Sequence, residues 1–238
     1  MNSLFDRVDA TTASALVLRA RDVRVEDVLS RLEGGEPPDA VVASLGIAPL
    51  DVIAAVAVAA LGMEEQADGP PLVQTSPGRP KLGKALEEPA LERLLPTTKR
   101  PVRLALAAGL LQIHDFWEAS HEAAQAADDL NEGQFSAYWH GIAHRREPDA
   151  GNAGYWFRKV GRHALFGPLW QGAQPLLDAH GDRTLIARID RGGSWDPFAM
   201  IALCTSARPG SPDESIARKL QRLEMILLLE ANAQAAGL

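Results

Sequence analysis

His140 and His144 stand four residues apart in YWHGIAH, so a helix through them stacks two imidazoles on one face, one turn apart. HDFWEASHEAAQ gives a second polar face, with His114, Glu118, His121 and Gln125 at i, i+4, i+7 and i+11. Three chemistries fit these residue types. The first is a divalent metal held by His140, His144, His121 and Glu118, with His114 or Glu147 as further donors to complete the shell. HGIAH lacks the internal Glu of H-E-x-x-H, so no ready-made general base comes with the pair. The second is a pocket for a small polar or anionic ligand. Arg145, Arg146 and Arg158 would grip an anion, with Asp115 and Asn152 adding polar contacts. Trp139, Tyr155 or Trp156 would supply a flat wall. His140, His144 and Glu147 are the candidate catalytic groups there, as acid or base. The third is structural: an Arg–carboxylate network packed among aromatics, with no ligand.

These residues need two helices to position them. Residues 114–130 read as one helix, able to continue the preceding one, with Phe116, Ala119, Ala123, Ala127 and Leu130 as its core stripe. A helix over 133–146 has Phe135, Tyr138 and Ile142 on its apolar side and His140, His144 and Glu147 opposite. The first helix and its loop carry acids and no Lys or Arg, whereas residues 140–163 are mostly basic. Opposite charge and the short Asn131–Glu132–Gly133 connection predict an antiparallel pair whose histidine faces share one pocket.

The rest of the chain predicts an all-α fold: a small helix-turn-helix-like N-terminal module (1–63), a Pro/Gly-rich linker arm (64–86) and a larger multi-helix domain (87–238). Leu16–Val25 alternates apolar and charged residues and predicts a short β-ribbon. Helices follow over 26–33, 38–44 and 49–61, punctuated by Gly34-Gly35, Pro37-Pro38, Gly46 and Pro49. The larger domain predicts helices at 89–95, 101–113, 151–160, 168–179, 183–190, 197–206 and 212–235, beside the two above. Asp149, Asp196 and the Ser211-Pro212-Asp213-Glu214 box are their caps, and Gly161 and Gly181 their stops.

VRVEDVLSRLEGGEPPDAVVASLGIAPLDVIAAVAVAALG resembles the antitoxin-like domain-of-unknown-function family 433. That resemblance implies an antitoxin-like module binding DNA or a partner protein. YWHGIAHRREPDAGNAGYWFRKVGRH, with HD-x-x-x-x-SH-x-x-x-Q before it, resembles an uncharacterised bacterial and fungal family with a YWH-x-I-x-HRRE-x-D-x-x-N-A-x-YWFR-x-VG core. This second resemblance implies that His114, Asp115, His121, Gln125, His140, His144, Arg145, Arg146, Glu147, Asp149, Asn152, Trp156 and Arg158 act together. It names no substrate.

Charge argues against DNA: the chain is at −7, and no Lys or Arg lies between Arg31 and Arg79, where a recognition helix would meet phosphate. The most apolar stretch, Val52–Met63, is shorter than the roughly 20 residues of a membrane span. The N-terminus has no signal-peptide core. Cys204 is the only cysteine and sits in an apolar helix, a packing thiol. Ser120 and His121 are neighbours that diverge on a helix, so they form no nucleophile–base pair. The C-terminal helix is apolar nearly all round near Met225–Leu229, which predicts cover by the chain or by a second copy, a homodimer. The sequence therefore predicts a cytoplasmic protein that binds, and could turn over, a small polar or anionic ligand. The alternative is a non-catalytic regulatory or interaction protein with a structural His/Arg network. The cofactor stays open, a divalent metal being the named candidate.

Overall fold

A computed structural model describes residues 4–12, 15–64 and 68–238. A 3-10 turn at Phe5–Arg7 leads into an antiparallel sheet of three strands, β1 (Val8–Thr12), β2 (Ala15–Leu18) and β3 (Val23–Arg24), in that order. The ribbon expected over Leu16–Val25 is the β2–β3 pair, with Leu18 opposite Val23. β1 was not expected, because its pattern is too short and mixed to signal a strand by itself.

Thirteen helices follow among the described residues. The first three are α1 (Val25–Glu33), α2 (Pro38–Leu45) and α3 (Pro49–Leu61), and α1 and α3 pack against the sheet. Gly46 ends α2 in the left-handed region, and Asp51 accepts from the backbone of Ala48 to open α3. The predicted linker contains a 3-10 turn at Pro80–Leu82 and a single turn, α4 (Gly83–Leu86). Its earlier part is pinned as an arm. Gly69, Pro70 and Pro71 offer carbonyls to Arg218, Gln221 and Arg146, and Gln74 N–H donates to Arg146 O. Then come α5 (Glu88–Leu94), α6 (Arg100–Ile113), α7 (Trp117–Asp129), α8 (Phe135–Arg146) and α9 (Ala150–Val160). The last four are α10 (Phe166–His180), α11 (Arg183–Ile189), α12 (Pro197–Ser206) and α13 (Pro212–Ala235). The fold is mainly α, as expected, and Asp149, Asp182, Asp196 and Ser211 each cap a helix.

α6 packs on both α8 and α13, and Tyr138 and Arg145 of α8 reach Glu224 of α13 by hydrogen bonds, so the three form the spine of the core. Every residue of α8 is buried, including its histidines and arginines. Small residues let the helices approach. A Cβ on Gly109 of α6 would fall 2.6 Å from the Trp139 ring, and one on Gly141 would fall 2.8 Å from Phe157. Trp139 is therefore a core side chain and not the wall of a pocket; it is fully buried against α6. α3 lies on α6 and α13, buried along Val52–Val58. Its C-terminal carbonyls, at Leu61 and Gly62, accept from the Arg222 guanidinium. One continuous hydrophobic core includes residues from Leu4 to Ala236. α13 is covered by α3, α6, α10 and α12 of the same chain, so its apolar centre needs no second copy to shield it. Among the described residues no single helix is long and apolar enough to cross a membrane.

The 114–130 segment departs most from expectation. α6 and α7 do not run on: Asp115 sits at φ +64 and breaks the path between them. That conformation is uncommon outside glycine. Asp115 is held there by Arg146 Nη2 at 2.6 Å and Thr75 Oγ1 at 2.8 Å. Ser120, Ala124 and Ala127 form the buried face of α7, whereas Leu130 of the expected stripe is 43% exposed. Ser120 Oγ donates to Ala108 O across the α6–α7 contact, a packing role.

Candidate metal centre

α7, α8 and α9 lie side by side, and each contributes to one cluster. α8 presents His140 and His144 in parallel, centroids 5.7 Å apart and 1° between planes, as their one-turn spacing requires. α7 brings His121 edge-on to both, at 4.6 Å from His140 and 5.1 Å from His144. One donor nitrogen from each of the three lies within 4.8 Å of the others. Two nitrogens on one ion with bonds of about 2.0–2.1 Å are at most about 4.2 Å apart. Tetrahedral coordination would set them about 3.3–3.4 Å apart, so the rings would have to draw inward to share an ion.

Each ring is fixed from behind. Trp117 stacks on His121 at 5.1 Å, with its Nε1–H donated to Ala143 O at 3.2 Å. Trp156 stacks on His140 at 3.8 Å and has the Lys159 ammonium 4.3 Å from its ring centroid. His144 Nδ1 is 2.8 Å from Glu147 Oε2. A carboxylate only accepts, so Nδ1 holds the proton and Nε2 keeps its lone pair. The Asn152 amide nitrogen lies 3.1 Å from Nε2 and 3.3 Å from Nδ1 of His144. An amide N–H only donates, so Asn152 gives its hydrogen bond to Nε2, the nitrogen that keeps the lone pair.

Burial favours the neutral, ligand form of His121 and His140. His140 is pushed down to about 3 by burial first, then by His121, His144 and Lys159. His121 is lowered by burial and by His144. Both nitrogens of His140 are buried without a hydrogen-bond partner. Leaving a buried polar atom unpaired costs roughly 1–3 kcal/mol, so such groups call for an explanation.

The other predicted site residues go elsewhere. His114 lies before the break in the chain, on the far side of α6, with Nε2 3.0 Å from Val56 O. Glu118 and Gln125 are exposed, and Gln125 donates to Asp129. Both share α7 with His121 but lie further round the helix, on its solvent side, whereas the break at Asp115 separates only His114. The cluster therefore holds His121 without His114, Glu118 or Gln125. Arg145 and Arg146 are held in the core by partners of their own. Arg145 Nη2 bonds the buried Glu224 carboxylate at 2.5 Å, which also accepts from Tyr138 OH at 2.9 Å. Arg146 donates to Pro71 O, Gln112 O and Asp115. Both point away from the histidines because successive positions on α8 diverge by about 100°. Arg158 and Tyr155 are exposed on α9. Asp115 and Asp149 serve the backbone turn and the α9 cap. Cys204 is partly buried, and burial pushes its thiol up to about 11, which disfavours the reactive thiolate.

Two participants went unread in the sequence. Trp117 stands at i−4 from His121, a spacing visible in WEASH. Lys159 stands at i+3 from Trp156. Glu224, the partner of Arg145, gives only a faint signal as the one carboxylate inside RLEMILLL.

Buried neutral histidines set an acid limit on the metal-free protein. The unfolded chain protonates His140 near its ordinary value of 6.5, while the folded chain resists until about 3. The unfolded state therefore binds more protons across that window, and stability present above pH 6.5 is lost as pH falls through it. His114 and His163, lowered by burial, act in the same direction. Each such group adds up to roughly 1.4 kcal/mol per pH unit to the slope. Urea unfolding of the metal-free chain at descending pH should show this decline. A His140→Phe variant should show a shallower one, and equal slopes would contradict the argument.

No protein-family model, curated protein or solved structure matches this chain.

Proposed function

We propose that this protein binds one divalent transition-metal ion of the zinc class through His121, His140 and His144, and works on a small polar ligand at that ion. The observation that carries the reading is the convergence of three donor nitrogens within 4.8 Å, including a His140 ring with no other partner. Imidazole donors suit zinc, copper, nickel and iron. Three protein ligands with one position left is the form of reactive zinc sites, whereas structural sites close the shell with four. Glu147 supports the centre from outside by holding the His144 tautomer, as carboxylates behind metal-bound histidines do. Trp117 and Trp156 keep the other two rings in place, and the buried Arg145–Glu224 and Arg146–Asp115 pairs fix α8 beneath them.

The test is direct. Chelator-treated protein is titrated with zinc by calorimetry, and bound metal is counted by mass spectrometry after dialysis. One ion per chain and a raised melting temperature are expected, since a ligand that prefers the folded state stabilises it. Failure of zinc, cobalt, nickel and copper alike to bind stoichiometrically would sink the reading.

A further inference from the structure

We propose that the position left on this ion takes a small monoanion with an oxygen or nitrogen donor, and that Asn152 donates a hydrogen bond to it. The inference rests on the three-histidine metal reading.

Charge is the first argument. Three neutral imidazoles leave the ion's two positive charges uncompensated. Glu147 is the carboxylate at the cluster, and it is engaged on the outer nitrogen of His144, not among the donor atoms. Lys159, above Trp156, adds a further positive charge, which Asp128 offsets at 2.9 Å. An uncompensated charge in a largely buried site is costly, and an anion on the metal removes that cost.

Access is the second. His140 and His144 are sealed, whereas Trp117, His121 and Asn152 are each partly exposed. Solvent and ligand reach the trio from the Trp117–Asn152 side.

The third is the donor. The Asn152 amide N–H donates to His144 Nε2 at 3.1 Å. A metal that takes this lone pair sits about 2.0 Å from Nε2 and deprives the N–H of its acceptor. The displaced N–H then turns to an acceptor held on the metal beside it. An N–H donor selects an acceptor, so it favours an anion over a neutral amine. The side chain is aimed by its own backbone: Asn152 N–H is held by Asp149 Oδ1 at 2.9 Å, in the first turn of α9. Size follows from the arginines. Arg145 and Arg146, the groups that would hold a phosphate ester by paired bonds, are locked on Glu224 and Asp115.

The full chain loaded with cobalt(II) supplies the test, because its visible absorption reports the ion's coordination. Sodium azide is the probe. A saturable change in the cobalt bands is expected on titration of the wild type. Asn152→Leu should keep one cobalt per chain and weaken azide about 10-fold or more, the effect of one hydrogen bond to a charged group. Cobalt bands that azide leaves unchanged in the wild type mean a closed shell and overturn this proposal while the metal reading stands. Absence of bound cobalt overturns the metal reading itself. Unchanged azide affinity in Asn152→Leu, or a loss confined to cobalt affinity, removes Asn152 from the ligand's contacts. The wild-type titration stands whether or not the variant folds.

Discussion

His140→Phe is expected to abolish stoichiometric metal binding while leaving the metal-free protein about as stable as before. Loss of a supporting partner such as Glu147 costs roughly 10–100-fold in affinity, and loss of a ligand itself costs more. Glu147→Gln should therefore fall in that lower range, and His140→Phe beyond it. The stability half of the expectation comes from the two unpartnered nitrogens of His140. Phenylalanine keeps an aromatic ring against Trp156 and removes both unsatisfied atoms, which offsets the strain of a slightly larger ring. His144→Ala should likewise lose the metal, with a moderate fall in melting temperature from its vacated volume. Metal titration and urea unfolding on the same preparations decide the matter. If His140→Phe retained wild-type metal affinity, the trio would not be the site. If it lost several kcal/mol without metal, the ring would be holding the fold in a way its contacts do not explain.

The second large effect lies at the other side of α8. Glu224→Ala should destabilise the protein by about 3–5 kcal/mol, the usual result of removing one partner from a buried ion pair. Arg145 and Glu224 are 1% and 0% exposed, and Tyr138 OH also depends on that carboxylate. Truncation leaves a guanidinium and a phenol unpaired in the core. The double variant Arg145→Met, Glu224→Leu should recover most of the loss, because a buried pair is often no more stabilising than packed apolar groups of similar size. Equal losses in the single and double variants would argue against uncompensated charge as the cause. Metal binding should survive in the double variant, since neither residue touches the histidines.

The helices, their caps and their stops were legible because they are local. Asp149, Asp196 and Ser211 satisfy backbone donors two or three residues ahead, and Gly46, Gly161 and Gly181 free the backbone where a helix must end. The i, i+4 geometry that brings His140 to His144 is likewise a property of any helix through YWHGIAH, as is the seat of Trp156 and Asn152 one turn apart on α9.

Phase and partnership were settled only in three dimensions. One residue, Asp115 at φ +64, separates His114 from His121, and the roll of α7 against α8 leaves Glu118 and Gln125 outside, so an expected four-member face contributes a single imidazole. No periodicity announces such a break, because Arg146 stabilises it from 31 positions away. The arginines show the same limit. HRRE next to aromatic residues suits an anion site or a salt-bridge network equally well, and the choice fell to Glu224, 79 positions from Arg145. Sequence determined which groups this protein can bring to a metal and at what local spacing. Tertiary packing decided which of them meet, because a charge or lone pair acquires its role from the partner across the core, and that partner is fixed by chain topology.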